Sequence, residues 1–268
     1  MPHPFFALAR PIVFGHRGAS GECPENTLLS FERALAQGAQ VIESDLHRTR
    51  DGEVVMLHDA DVARTTDGAG DVADLSAAEL ARLDAGFHFA APDGSTPFRA
   101  RGLRVPTLAE VFARFPGVRF NLELKRCDPE LVGATLALVR KHGREDLTLL
   151  AAGSDDAMSL LRRELAHSAL GVATGASVGE VIGFVRAAVE RREPLAGPLA
   201  LQIPAEFAGR PLVTPELVAH AHAHGVQIHV WTVNEPAEMV ALLALGVDGL
   251  MSDFPGRLRA VVDGRRGP

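Results

Sequence analysis

Short apolar runs alternate along the chain with longer stretches whose apolar residues return every three or four positions. Those two spacings mark buried strands and the helices that lie on them. Strands are predicted near Ile12–Gly15, Val41–Leu46, Val118–Leu124, Leu147–Ala152, Leu170–Thr174, Leu199–Ile203, Val226–Val233 and Val247–Ser252. Helices are predicted near Thr27–Gln37, Thr107–Arg114, Glu130–His142, Asp155–Glu164, Val178–Arg191, Pro215–Ala223, Glu235–Leu245 and Pro255–Val262. Several of these open on Thr, Ser, Asp or Asn, whose side-chain oxygens accept from the free N–H groups of a first turn. Eight strand–helix units are the number that closes a parallel sheet on itself, so the expected architecture is α/β, a (β/α)8 TIM barrel.

One interval breaks the alternation. Between the second strand and its helix, Glu53–Leu57 returns as a short strand, and Asp71–Val105 carries Gly86, Pro92, Gly94, Pro97 and Gly102 and reads mostly as loop. The chain is therefore expected to be a single barrel domain over residues 1–268 with an insertion at about 60–105. Its length agrees, since one α/β barrel takes about 250 residues.

Composition narrows the partners. A net charge of −7 opposes a sequence-independent grip on nucleic acid, which needs a basic surface, so an anionic substrate has to be met by local cations. The segment Met1–Arg10 has no basic stretch followed by an apolar core of signal-peptide length, and no run approaches the roughly 20 apolar residues of a membrane span. Only Cys23 and Cys127 occur, which suits a reducing compartment. A cytoplasmic location and no stable membrane insertion are the expectations.

The chemistry lies in two acidic pairs on strands. Glu43 and Asp45 stand two apart in the second, and Glu123 and Lys125 in or just past the third, so each pair projects to one face. Three carboxylates converging in one place repel and partly protonate unless a cation sits among them. Oxygen-only clusters suit Mg²⁺ or Ca²⁺, with Mn²⁺ also accepted. Glu123 and Lys125 would equally suit a plain ion pair. A barrel does its chemistry at the carboxyl ends of its strands, where the sequence also offers His16 and Arg17 after the first strand, His58 and Asp59 after the hairpin, and His229 and Trp231 on the seventh. Imidazoles, carboxylates, an arginine and a lysine on one rim suit phosphoryl chemistry with water or a substrate hydroxyl as nucleophile. His47 is left out of the ligand set as lying past the strand end. The alternating His220, His222 and His224 fall on a helix, where residues two apart do not face each other, and read as a solvated face. Asp253 reads as a helix cap, and Glu25 as part of a turn close to the rim.

The succession His16-Arg17-Gly18, Pro24-Glu25-Asn26-Thr27, Glu43-Ser44-Asp45, His58-Asp59, Arg64-Thr65-Thr66, Asn121-Leu122-Glu123-Leu124-Lys125, Trp231-Thr232-Val233-Asn234 and Ser252-Asp253-Phe254-Pro255 resembles the glycerophosphodiester phosphodiesterases over nearly the whole chain. The resemblance implies a barrel enzyme that uses a divalent cation to cleave a small-molecule glycerophosphodiester into sn-glycerol 3-phosphate and an alcohol. It also implies Glu43, Asp45 and Glu123 as metal ligands and His16 and His58 as general acid and base, in an order left open. Arg17 and Lys125 would hold phosphate oxygens, and Trp231 would floor the pocket. A lysophospholipase D or a sphingomyelinase D-like enzyme on the same barrel is the alternative. Asn121, Glu123 and Lys125 on one strand, together with the insertion, favour the first.

Overall fold

The structure, a computed structural model, describes residues 3–194 and 198–265. Met1, Pro2, residues 195–197 and residues 266–268 of the expected domain lie outside the described residues. Eight parallel strands carry the fold: β1 Ile12–His16, β2 Val41–Arg48, β3 Arg119–Leu124, β4 Thr148–Ala152, β5 Ala173–Thr174, β6 Ala200–Pro204, β7 Gln227–Trp231 and β8 Gly249–Ser252. The helices that pack outside them are α1 Leu28–Ala36, α2 Leu108–Arg114, α3 Pro129–Lys141, α4 Asp155–Ser168, α5 Val178–Glu190, α6 Pro215–Ala223, α7 Pro236–Leu245 and α8 Pro255–Arg265. Helix starts follow from their caps: Thr27 Oγ1 accepts from Ser30 N, while Thr107 with Glu110 and Ser177 with Glu180 each form a reciprocal capping box.

Ladders join the strands in the order β5-β4-β3-β2-β1-β8-β7-β6, so β1 closes onto β8 and the sheet curls into a barrel. This is the α/β barrel expected from the sequence, although no ladder joins β5 to β6 among the described residues. The run expected over Leu170–Thr174 contributes only Ala173 and Thr174, flanked by Gly171 and Gly175, and glycine adds no side chain to hold a pleat. The hairpin strand appears as Val54–Met56, antiparallel to β2 with Leu46 opposite Met56. The chain between it and α2 is mostly turns, with two 3-10 turns at Val62–Arg64 and Val72–Asp74 and a short α-helix at Ala77–Leu80, over its own apolar cluster of Val55, Leu57, Val62, Val72, Leu80, Ala85 and Val105.

Two apolar layers fix which mouth is open. The larger lies between strands and helices and includes Phe31, Ile42, Phe112 and Phe120. A smaller one joins Phe5 and Phe6 to Ile12, Val41, Leu149, Ala173 and Ala200, residues from the first turns of their strands. The segment before β1 thus plugs the amino-terminal mouth. His229, expected on the rim, belongs to this layer: it is fully buried, 4.9 Å from the Phe14 ring, and burial pushes its imidazole down to about 4. It is a neutral core histidine, held to Gln227 Oε1 at 2.9 Å.

Arg144 is the largest fully buried side chain. Its guanidinium lies 4.9 Å from the Phe112 ring and donates to the carbonyls of Phe115, Pro116 and Val118, tying the end of α2 to the start of β3. Burial lowers its pKa to about 10. Arg144→Met should remove a buried guanidinium and its hydrogen bonds to three carbonyls at a cost on the order of 2–4 kcal/mol, which for a chain of this size is a fall in Tm of roughly 5–15 °C. Thermal unfolding followed by circular dichroism reads this, and an unchanged Tm would contradict the strap.

Candidate active site

The open mouth holds a cavity of about 500 Å³. All eight residues singled out in the sequence line it: His16 and Arg17 from β1, Glu43 and Asp45 from β2, His58 from the hairpin, Glu123 and Lys125 from β3, and Trp231 from β7. A larger hollow of about 710 Å³ lies by Arg10, His222 and Asp248. There the one buried carboxylate, Asp248, is already bonded by Arg10 Nη1, His222 Nε2 and Ile228 N, so it offers no comparable unmet chemistry.

The loop after β1 is built by close approach to α1. A Cβ on Gly18, at φ +87°, would meet Ser30 Oγ at 2.3 Å, and one on Gly15 would meet Ala34 Cβ at 2.9 Å. Arg17 between them is left-handed at φ +51°, a conformation that costs an ordinary residue roughly 1–2 kcal/mol. It is held there from both sides: Arg17 N donates to Glu43 Oε2 at 3.2 Å, and Arg17 O accepts from Asn26 N at 3.1 Å and Ser30 Oγ at 3.0 Å. The turn aims the His16 imidazole at Glu43, with Nε2 3.9 Å from Oε2, while Nδ1 lies 2.7 Å from Asp253 Oδ1. Burial alone would push this imidazole down, but the Asp253 bond and the Glu43 and Asp253 charges outweigh it and hold the pKa above the usual value.

The carboxylates follow from register. Glu43 pairs across with Asn121, and Asp45 with Glu123 one layer further out. Burial, then the neighbouring Asp45, pushes Glu43 up to about 7. Its charge is under-compensated even with the Arg17 N–H beside it. Lys125 Nζ bridges the outer pair, 3.0 Å from Asp45 Oδ1 and 2.8 Å from Glu123 Oε2, so the ion-pair alternative is realised. Among the described residues no group of three or more His, Cys, Asp or Glu side chains is arranged to hold a metal ion. The donor set is nonetheless all oxygen, and a buried glutamate pushed towards protonation is what an added cation would relieve.

The second imidazole is held like the first. His58 Nδ1 lies 2.6 Å from Asp59 Oδ1. Arg64 Nε donates to the other oxygen of Asp59, and its two terminal nitrogens donate to Glu25 at 2.8 and 2.7 Å. Glu25 Oε1 also accepts from Arg17 Nη1 at 3.0 Å. His47 lies inside β2 rather than past its end, and its Nε2 is 3.1 Å from the His58 carbonyl, so it supports the hairpin.

Sequence reasoning miscast Asp253. Its hydrogen bonds run from Oδ1 to His16 and Ser20 and from Oδ2 to Asn234, not to a helix end, and the pull of His16 and its other donors overcomes burial to hold it down at about 2. Its signal was available, because a carboxylate just past the eighth strand of a barrel borders the first. Two further polar groups line the cavity without a hydrogen-bond partner, Asn121 Oδ1 and Gln202 Nε2.

Comparison with known proteins agrees with this geometry. Residues 16–257 match the profile of the glycerophosphoryl diester phosphodiesterase family. A glycerophosphodiester phosphodiesterase of Bacillus subtilis is 32% identical over 95% of this chain and 87% of its own. A lysophospholipase D of Rattus norvegicus is 28% identical over 94% and 85%. Among solved structures, a phosphodiesterase of Oleispira antarctica in complex with the product sn-glycerol-3-phosphate superposes with a TM-score of 0.75 at 28% identity, covering 95% of this chain and 97% of that one.

Asp253→Asn should lower the pKa of His16, because the substitution removes the Asp253 charge, leaves at most a neutral hydrogen bond in its place and keeps the burial that lowers it. Titration of the ring by NMR in the metal-free protein measures this. An unmoved His16 titration would show that Asp253 does not set it.

Proposed function

The chain belongs to the glycerophosphoryl diester phosphodiesterase family and hydrolyses glycerophosphodiesters, and from that premise we propose a metal-dependent reaction in which His16 and His58 are the general acid and base. The observation that carries this is the matched setting of the two imidazoles. Each gives its Nδ1 to an aspartate, which fixes the tautomer and leaves Nε2 for proton transfer in the shared cavity. One imidazole would take the proton from a substrate glycerol hydroxyl as that oxygen attacks phosphorus. The other would protonate the departing alkoxide, and water would then open the cyclic phosphate to sn-glycerol 3-phosphate. Arg17 and Lys125 would hold non-bridging oxygens, Arg as a planar fork and Lys as a point charge. Asn121 Oδ1 and Gln202 Nε2, with their unmet hydrogen bonds, suit glycerol hydroxyls. Trp231 would cover the carbon atoms.

Glu43, Asp45 and Glu123 would hold the divalent cation, Mg²⁺ or Ca²⁺ with Mn²⁺ as a further option. When bound it would draw charge from the phosphate oxygens. Lys125 Nζ, which bridges Asp45 and Glu123, would turn from them to the substrate phosphate. Turnover of glycerophosphocholine, read as glycerol 3-phosphate released, tests the scheme. Chelation should abolish it and added Mg²⁺ or Ca²⁺ restore it, while Glu123→Gln should stay folded and inactive. His16→Ala and His58→Ala should each lose on the order of 10²-fold or more. Near-normal rates in chelator or in either histidine variant would refute that part.

One observation favours lysophospholipase D as a second activity of the same site. Beyond the charged side formed by β1 to β3, Val178 and Trp231 line the cavity, Ile182 stands one turn along α5 from Val178, and Phe207 lies in the hairpin after β6. All four are 44–72% exposed. A lysophospholipid would lay its acyl chain there. Lysophosphatidylcholine should then be cleaved, and Ile182→Asp should weaken that reaction while sparing glycerophosphocholine. Equal effects on both substrates would exclude the acyl-chain role.

A further inference from the structure

Arg64 belongs to the motif Arg64-Thr65-Thr66 and touches neither imidazole, nor any of the three carboxylates offered as ligands. It is nevertheless the middle of an unbroken chain of contacts running from His58 through Asp59, Arg64 and Glu25 to Arg17. The two ends of that chain come from different parts of the sequence. Residues 17–25 follow β1, and residues 58–64 follow the hairpin on β2. No strand ladder joins these two loops among the described residues, whose only named ladders are those of the barrel sheet and of a hairpin after β6.

We propose that Arg64 is a positioning residue that sets His58 and the phosphate-facing Arg17 relative to each other by clamping Asp59 and Glu25 at once. The inference rests on His58 being acid or base and goes beyond it by naming what fixes that ring. Isolated exposed ion pairs contribute little, and Arg64 is about half exposed. Its geometry is the exception: two nitrogens grip one carboxylate and the third takes another, which only a planar guanidinium does. Glu25 is the better buried partner, at 18% side-chain exposure, and is shared with Arg17. Loss of Arg64 would free the Asp59 carboxylate to rotate and with it the imidazole, while Arg17 would keep Glu25 but lose the brace behind it. Misplacement by about 1 Å is enough to cost on the order of 10²-fold in rate.

The test uses Arg64→Met and, as a charge-conserving check that also serves if the first variant fails to fold, Arg64→Lys. Both should lower kcat for glycerophosphocholine by roughly 10–100-fold, the range for removing a residue that orients catalytic groups, with Arg64→Lys recovering little because an ammonium cannot make both grips. The downfield NMR signal of the His58 Nδ1 proton, assigned by its loss in Asp59→Asn, should move in either variant although Arg64 does not touch the ring. A kcat within twofold of the parent enzyme, or a lowered kcat with an unmoved His58 signal, would overturn the proposal. His58→Ala run beside them separates the two readings: if that variant keeps its rate the acid–base assignment falls, and if it loses its rate while the Arg64 variants do not, only the clamp falls.

Discussion

Negative charge concentrated at one end of the barrel is the constraint on which the rest depends. Six carboxylates, of Glu25, Glu43, Asp45, Asp59, Glu123 and Asp253, meet around the mouth with three permanent cations, Arg17, Arg64 and Lys125. A doubly charged ion and one protonated imidazole would bring that ledger to neutrality. Without them the deficit shows at buried Glu43, whose pKa is pushed up by burial and by Asp45. A phosphodiester is itself an anion, and the acidity of the mouth is the reason the proposed scheme includes a cation. The overall charge of −7 gives no help from a distance.

The same constraint explains why the basic residues look preoccupied. Lys125 bridges Asp45 and Glu123, and Arg17 leans on Glu25 and Asp45. These pairs keep the charges soluble in a partly buried mouth and hold the cations close to where phosphate would sit. Lys125 is kept charged by the two carboxylates against the pull of burial. A cation arriving at the carboxylates and an anion arriving at Lys125 and Arg17 would exchange partners with little net change in the charge each group sees. That exchange is cheaper than assembling the same groups from water.

What the sequence revealed is what period and parity reveal. Alternating apolar runs and helical stretches located the eight strands, and two-residue spacing put Glu43 with Asp45 on one face. The eight residues offered as ligands, acid and base, phosphate holders and pocket floor all line the cavity. His229 misled because its parity and its strand were right but its depth was not: it sits two residues before Trp231, low enough to pack on Phe14. Asp253 misled in the opposite way, since its local setting before Phe254 and Pro255 looks like a cap and only ring closure brings it to His16. The missing ladder between β5 and β6 was equally out of reach, because a two-residue strand and a five-residue one leave similar apolar traces.

That gap falls where the fold can tolerate it. The ladders running from β8 through β1 and β2 to β3 are all formed, and these four strands carry Asp253, His16, Glu43, Asp45 and Glu123, or the loops next to them. Acid–base and electrostatic work depends on placement within a fraction of an ångström, so this half of the barrel is pinned by register, by the left-handed turn at Arg17 and by two aspartate–imidazole bonds. The half from β5 to β7 contributes Val178, Gln202 and Trp231 to the cavity, groups that cover carbon atoms or offer one hydrogen bond. Apolar contact is non-directional, so a looser seam there costs the chemistry little. Variation in what the enzyme accepts would accordingly be written on that side, while the reaction stays fixed by the other.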